Sequence, residues 1–226
     1  MLQISVIICA YTEERWTDLV LAVRSVQAQT QRPLEIIVVI DHNPVLLARA
    51  RQQFPGVVVV ANGAARGLSG ARNSGIAVAQ GDVFAFMDED AQAEPNWLAR
   101  LAQGYTEPAV MGVGGAIEPR WQQWRPTWFP PEFDWVVGCT YQGMPVTAAP
   151  VRNLIGCNMS LRREVFQAVG GFRSGIGRIG KVPVGCEETE LCIRAQQHWP
   201  TRRLLYEPRA RVRHRVPAAR STWRYF

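Results

Sequence analysis

Val83-Phe84-Ala85-Phe86-Met87-Asp88-Glu89-Asp90 runs five apolar residues straight into three carboxylates, and the fold is read from that junction. A short apolar run cut off by charge is a buried strand, and its carboxyl edge is where open α/β sheets bind their ligands. Three adjacent acids repel one another, so a cation is expected among them. Hard divalent ions such as Mg2+ or Mn2+ take oxygen ligands and usually use one or two carboxylates, leaving positions for phosphate oxygens. A solvated turn with three surface acids is the other reading, and on this segment alone both stand.

Outward from the junction, Ile4-Ser5-Val6-Ile7-Ile8 and Ile36-Ile37-Val38-Val39-Ile40 read as fully buried parallel strands, and Val57-Val58-Val59-Val60 continues the series. Between the first two, Trp16, Leu19, Val20, Val23 and Val26 recur at helical spacing. This βαβαβ alternation implies right-handed crossovers and a sheet covered on both faces. Beyond the triplet, Pro95-Asn96-Trp97 turns into a helix. Trp121, Trp124, Trp128, Phe129, Phe133 and Trp135 then gather among Pro119, Pro126, Pro130 and Pro131, a stretch predicted to be a loop rather than one helix or a central strand. Its rings are either a stacking platform or the packed plug beneath a long loop. Further on, Asn158 to Phe166 is predicted to open a helix capped by Ser160 and ended by Gly170-Gly171-Phe172.

A glycine-rich run from Ser174 to Gly185 carries Arg178 and Lys181, cations suited to phosphates, but lacks the G-x-x-x-x-G-K-S/T spacing of a P-loop. It leads into Gly185-Cys186-Glu187-Glu188-Thr189-Glu190-Leu191-Cys192-Ile193-Arg194, a helix with an acidic first turn. The helix dipole favours acids there, so simple helix stabilisation and a second site are both open.

Composition bounds the rest. With 226 residues and 47% hydrophobic content, the chain can bury a full core as one large domain or a domain with an appendage. No apolar run approaches the ~20 residues that cross a bilayer and no signal peptide opens the chain, which predicts a cytoplasmic location. Five cysteines without a C-x-x-C pair argue against a disulfide framework and a structural zinc site. The net charge is +6, and Arg202, Arg203, Arg209, Arg211, Arg213, Arg215, Arg220 and Arg224 crowd the last quarter. Solvated surface explains such a cluster; so does an anionic partner. The lack of a recognition-helix or RNA-binding signature turns the reading from nucleic acid towards phosphate or a membrane.

Ser5-Val6-Ile7-Ile8-Cys9-Ala10-Tyr11-Thr12-Glu13-Glu14, Val39-Ile40-Asp41, Gly67-Leu68-Ser69-Gly70-Ala71-Arg72-Asn73, the acidic triplet and Gly185 to Leu191 together resemble the family 2 glycosyltransferases. The five motifs stand in that family's order and cover the chain from near residue 3 to about residue 215. The resemblance implies an α/β fold of GT-A type: a Rossmann-like, mostly parallel sheet flanked by helices, with a smaller acceptor-side region. It divides a single catalytic domain into a nucleotide-sugar half (1–95), an acceptor-side half (96–215) and the start of a C-terminal extension (216–226), through which the chain would associate peripherally with the inner face of the plasma membrane.

The same resemblance implies a nucleotide-diphospho-sugar donor, with UDP favoured, a Mn2+ or Mg2+ cofactor and transfer with inversion. Ala10, Tyr11 and Glu13 would hold base and ribose, Asp41 the base edge, and Arg72 would approach the nucleotide. Asp88 and Asp90 take the DxD places around Glu89, Asp90 as metal ligand and Asp88 nearer the ribose or sugar, with His214 completing the metal or diphosphate site. Arg178 and Lys181 would assist at the diphosphate. Glu188 occupies the place of the usual catalytic aspartate beside Glu187, so this chain has Glu-Glu where the family commonly has Glu-Asp. A finer similarity, in Trp128 to Tyr141 and Arg152 to Asn158, is to prokaryotic members acting on polyprenyl-linked or cell-surface glycans. Two rivals remain at this stage. A sugar-phosphate nucleotidyltransferase needs a basic, glycine-rich loop after the first strand, where this chain has Cys9-Ala10-Tyr11-Thr12-Glu13-Glu14; a non-catalytic nucleotide- or glycan-binding module would explain the Glu-Glu departure.

Overall fold

The computed structural model describes residues 2–177 and 185–225. Strand β1 (Ile4–Ala10) is buried along its whole length, as a strand is when helices cover both faces of its sheet. A 3-10 turn (Glu13–Arg15), capped by the Thr12 hydroxyl, leads into α1 (Trp16–Gln27). Next come β2 (Glu35–Ile40), α2 (Pro44–Gln53), β3 (Val58–Ala61), α3 (Leu68–Val78) and β4 (Val83–Asp88). The four strands pair in parallel in the order β3-β2-β1-β4. The alternation expected from the sequence is present, and β4 ends on Asp88, the first acid of the triplet.

After Asp90 the chain makes β5 (Ala91–Ala93), α4 (Trp97–Gly104), β6 (Val110–Trp121), a 3-10 segment (Pro131–Val137) and β7 (Ala149–Val151). It then makes β8 (Asn158–Arg162), α5 (Arg163–Val169), α6 (Glu187–His198) and β9 (Arg203–Val216). Strand β8 adds antiparallel to β4, β6 antiparallel to β8, β9 parallel to β6, and β5 and β7 antiparallel to β9. One mixed sheet results.

Side chains alternate across it. Val6, Ile8, Val38, Ile40, Ala85 and Met87 face the core built with α1, α2 and α4, which includes Leu19, Leu46 and Trp97. Ile7, Val39, Phe84 and Phe86 face the other core, with Ala71 of α3, Phe166 of α5 and Leu191 of α6. Phe84 and Phe86 each pack on Phe166, with centroids 5.5 and 6.0 Å apart. Burying an aromatic of that size contributes about 1.5–3 kcal/mol, enough to fix α5 against the sheet.

Two sequence expectations are corrected here. Asn158 to Arg162 is a strand, and α5 starts only at Arg163 with no side-chain cap. Ser160 does not cap it: its hydroxyl is buried in the sheet, 2.7 Å from the Val113 carbonyl and 2.8 Å from the Tyr105 hydroxyl. Asn158 likewise donates to the carbonyls of Ala116 and Ala210, each at 2.8 Å, and accepts from the Trp97 indole at 2.7 Å. Polar residues that looked like a cap find their partners across strands. The second correction is β6, which continues through Pro119 to Trp121 instead of giving way to loop. Its pairing with β8 stops at Gly114 while pairing with β9 continues to Trp121, so Pro119 stands where one side of the strand is free and a missing N–H is tolerated.

Candidate functional site

Parallel register places Cys9 beside both Val39 and Asp88, so β1, β2 and β4 end at one edge of the sheet. Ala10, Tyr11, Asp41 and Asp88 emerge there together. Tyr11 and Glu13 are exposed. Asp41 has both oxygens engaged, Oδ1 accepting from the Asn62 amide at 2.7 Å and Oδ2 from the Gly67 N–H at 3.0 Å. It thereby ties the loop before α3 to the sheet edge. Gly70, in the first turn of α3, lets that loop pack close: a Cβ there would lie 1.9 Å from the Ala65 carbonyl oxygen.

In the triplet, each acid meets different cations. The Asp90 oxygens take His214 Nε2 at 3.2 Å and Arg15 Nη1 at 3.1 Å, and Glu89 takes the same Arg15 nitrogen at 2.8 Å. His214 arrives because β9 pairs with β5, with His214 opposite Ala91 and the Arg215 N–H bonded to the Asp90 carbonyl. Burial works against the Asp90 anion, yet His214 and Arg15 outweigh it and hold the carboxyl well below its usual range. Burial also opposes the His214 cation, and Asp90 overcomes it, raising the imidazole to about 10. Glu89 is pushed up to about 7 by burial and by Asp90, with Arg15 opposing. Asp88 is the most open of the three, its side chain 30% exposed, and burial together with Asp90 raises it against the pull of Arg72.

Arg72, on α3 and 3% exposed, joins the triplet to the second acidic cluster. Its guanidinium lies 2.7 Å from Glu187 Oε1 and 3.5 Å from Asp88 Oδ1, and it donates to the Gly156 carbonyl at 3.1 Å. A Cβ at Gly156 would sit 2.7 Å from that guanidinium and would have to displace it. As expected, the second cluster opens a helix: α6 begins at Glu187. Glu187 is buried against Arg72, and Glu188 is left partly exposed with no ion-pair partner among the described residues. Burial, then the Glu187 charge, pushes Glu188 up to about 7, against Arg72.

Asp90 Oδ1 lies 3.2 Å from His214 Nε2, and Asp88 brings a second carboxylate towards the same imidazole; oxygen and nitrogen donors of this kind fit a divalent ion. Cys157 adds a sulfur: one ligand atom each from Asp88, Cys157 and His214 lie within 4.8 Å of one another. Arg178 and Lys181 lie outside the described residues. Linear order does not mark Arg15, Asn62 or Cys157 as site residues. Arg15 meets Glu89 from 74 positions away, a contact made by the pairing of β1 with β4.

Elsewhere the open sequence readings divide. Phe129 is buried and edge-on to Trp121, Trp128 stacks on Trp223 at 4.0 Å, and Trp124 and Trp135 are exposed. The aromatic segment is thus plug in one part and surface in another. Arg202, Arg203, Arg209, Arg211, Arg213 and Arg215 each pair with an acid, which is the solvated-surface outcome for most of the basic cluster. Among the described residues, no helix is long and apolar enough to cross a membrane.

Residues 5–170 match the profile of glycosyl transferase family 2. The chain belongs to that family. It is 38% identical over 219 residues, 95% of this chain and 70% of the relative, to the glucosyl-dolichyl phosphate glucuronosyltransferase of Haloferax volcanii. With the succinoglycan biosynthesis protein ExoM of Rhizobium meliloti it shares 24% identity over 98% of this chain and 69% of that one. Among solved structures it is similar to GalNAc-T7 with UDP, GalNAc and Mn2+ (TM-score 0.70, 22% identity, 96% of this chain and 44% of that chain). It is also similar to the mannosyltransferase PcManGT of Pyrobaculum calidifontis in complex with GDP-Man and Mn2+ (TM-score 0.68, 18% identity, 96% and 58%). This chain spans less than two thirds of either solved chain. These likenesses identify the sheet and its helices as the GT-A fold, and membership of the glycosyl transferase family stands against the nucleotidyltransferase reading.

Proposed function

We propose that this family 2 glycosyltransferase moves a sugar, with inversion, from a nucleotide-diphospho-sugar, UDP-linked by preference, to a hydroxyl of a polyprenyl-linked glycan. The observation that carries the reading is the junction at Arg72, where Asp88 and Glu187 meet one buried cation from two sides. It sets a donor-side carboxylate cluster beside an acceptor-side one. Ala10, Tyr11, Glu13 and Asp41, at the ends of β1 and β2, hold the base and ribose. Asp41 acts there by fixing the Gly67 loop as well as by offering an edge to the base.

Glu188 is the general base. What supports it over Glu187 is that Glu187 is taken by Arg72, whereas Glu188 is accessible and titrates near 7, where a carboxylate both exists and accepts a proton readily. It takes the acceptor hydroxyl's proton as the oxygen attacks the anomeric carbon, while Arg72 faces the side from which the diphosphate leaves. Asp88, Asp90 and His214 would hold a divalent ion, Mn2+ or Mg2+, which when bound neutralises charge on the departing diphosphate. The lipid-linked acceptor is supported by the Haloferax volcanii relative, whose name specifies a dolichyl phosphate substrate; peripheral membrane association follows from such an acceptor. Incubation with Mn2+, a panel of UDP- and GDP-sugars and a short polyprenyl-phosphate-linked sugar tests the proposal. Acceptor-dependent nucleotide release with an inverted product is expected. Release that ignores the acceptor, or a retained anomeric configuration, overturns it.

A further inference from the structure

We propose that Cys157 is a metal ligand of this site, its sulfur joining the Asp88 carboxylate and the His214 imidazole in a mixed oxygen, nitrogen and sulfur set that favours later first-row ions over Mg2+. The inference rests on the metal reading made above and adds a ligand and an ion preference to it.

Placement argues for it. Met87 pairs with Asn158 across β4 and β8, so Cys157 and Asp88, one residue beyond that pair on each antiparallel strand, are neighbours at the sheet edge. The Cys157 side chain is buried, and its thiol faces the Asp88 backbone as well as the ligand atoms of Asp88 and His214 within 4.8 Å. Among the described residues, these three form the group of histidine, cysteine and carboxylate side chains close enough to share one ion. Cys192, by contrast, packs in the apolar core with Leu191 and Ala195, where a buried thiol serves as a small hydrophobe.

The surroundings of His214 fit the same role. His214 Nδ1 is 3.8 Å from Cys139 Sγ, an outer contact that orients the ring and leaves Nε2, 3.2 Å from Asp90 Oδ1, as the nitrogen for the ion. Cys139 is therefore a positioning neighbour and Cys157 the ligand. A thiol gives up its proton on coordination, and a thiolate in the set shifts selectivity towards softer ions. Carboxylates and imidazole alone would not discriminate against Mg2+ to the same degree.

Cobalt reports sulfur ligation directly. Protein loaded with Co2+ is expected to show the near-ultraviolet sulfur-to-cobalt charge-transfer band alongside its visible d–d bands. Cys157→Ser should lose the first while Cys139→Ser and Cys186→Ser, the latter removing the exposed thiol, keep it. Co2+ affinity should fall by at least the ~10–100-fold that losing even an outer contact costs, and the preference for Mn2+ or Co2+ over Mg2+ should narrow in the same variant. Bound Co2+ without a charge-transfer band in the unaltered protein overturns the proposal whatever the variants do, and so does a band that survives Cys157→Ser. The wider metal reading fails separately: it is sunk if Asp90→Ala and His214→Ala both bind Co2+ as the parent does.

Discussion

At the end of β4, Asp90 sits with both carboxylate oxygens against cations, His214 at 3.2 Å and Arg15 at 3.1 Å. At the start of α6, Glu188 is without such a pair among the described residues, and its neighbour Glu187 has taken the nearby guanidinium at 2.7 Å. Both are buried or partly buried carboxyl groups in one site. The first is held down, ionised at any working pH, and the second is pushed up to about 7. A carboxylate fixed as an anion suits a cation; one poised near neutrality suits a proton. The difference lies in which cations the fold delivers, because the pairing of β9 with β5 sends His214 to one cluster while α3 spends Arg72 on Glu187.

The comparison breaks most completely at Asp90. Asp90→Ala removes the shared partner of His214 and Arg15, and we expect divalent-ion binding by calorimetry to disappear and nucleotide-sugar turnover to fall below detection. Ion-dependent turnover that persists in this variant would show that the triplet is not the metal side. Glu188→Gln probes the other side with a smaller expected effect. Losing a general base typically costs about 10²–10⁴-fold in rate, so kcat should fall by that factor while donor affinity stays within a few-fold of the parent. Unchanged kcat refutes the base assignment; a matching loss of donor affinity makes Glu188 a donor-binding residue instead.

Between the clusters stands Arg72, and its removal should be felt in stability. Arg72→Met leaves Glu187 buried without its cation, and breaking one side of a buried ion pair costs about 3–5 kcal/mol. Thermal or denaturant unfolding should show that loss, and adding Glu187→Gln should recover much of it. If the double variant is no more stable than the single one, the Arg72 contacts to Gly156 and Asp88 carry the effect and the two clusters are less separate than the geometry indicates.

The sheet was legible in the sequence because its central strands are apolar runs with no competing period, and the triplet stood out because charge follows Met87 without a transition. The second cluster was legible as an acidic helix start. Neither pattern showed the partition of cations. Arg15 reads as one more polar residue ahead of α1, and Cys157 as one of five unpaired cysteines, just ahead of an expected helix; each gains meaning only when β4 lies between β1 and β8. Ser160 misled for a related reason: a Ser before an apolar run has the same local signature whether its partner is a helix N–H or a carbonyl on the neighbouring strand. Arg72 occupies Glu187, the residue that the family's Glu-Asp pair keeps, and nothing in the structure explains why Glu188 stands in place of the aspartate.

The finest distinction between the clusters is a pH effect. Glu188 has to be ionised to accept the acceptor's proton, so kcat/KM should climb about tenfold per pH unit below its pKa and level off above about 7. Stability carries the opposite sign. The carboxyl's value is raised in the folded chain from the ordinary 4.5, so between 4.5 and about 7 the folded state holds more protons than the unfolded one. The Glu188 contribution to stability is therefore full below 4.5 and is lost as pH rises through 7, the same interval in which activity appears. Glu187→Gln is the informative variant. It removes the charge that, after burial, does most to raise Glu188, and it frees Arg72 to approach; both changes lower the pKa. The break in the kcat/KM profile should move to lower pH, and a break that stays in place would mean that burial alone poises Glu188, with Glu187 serving only to anchor Arg72.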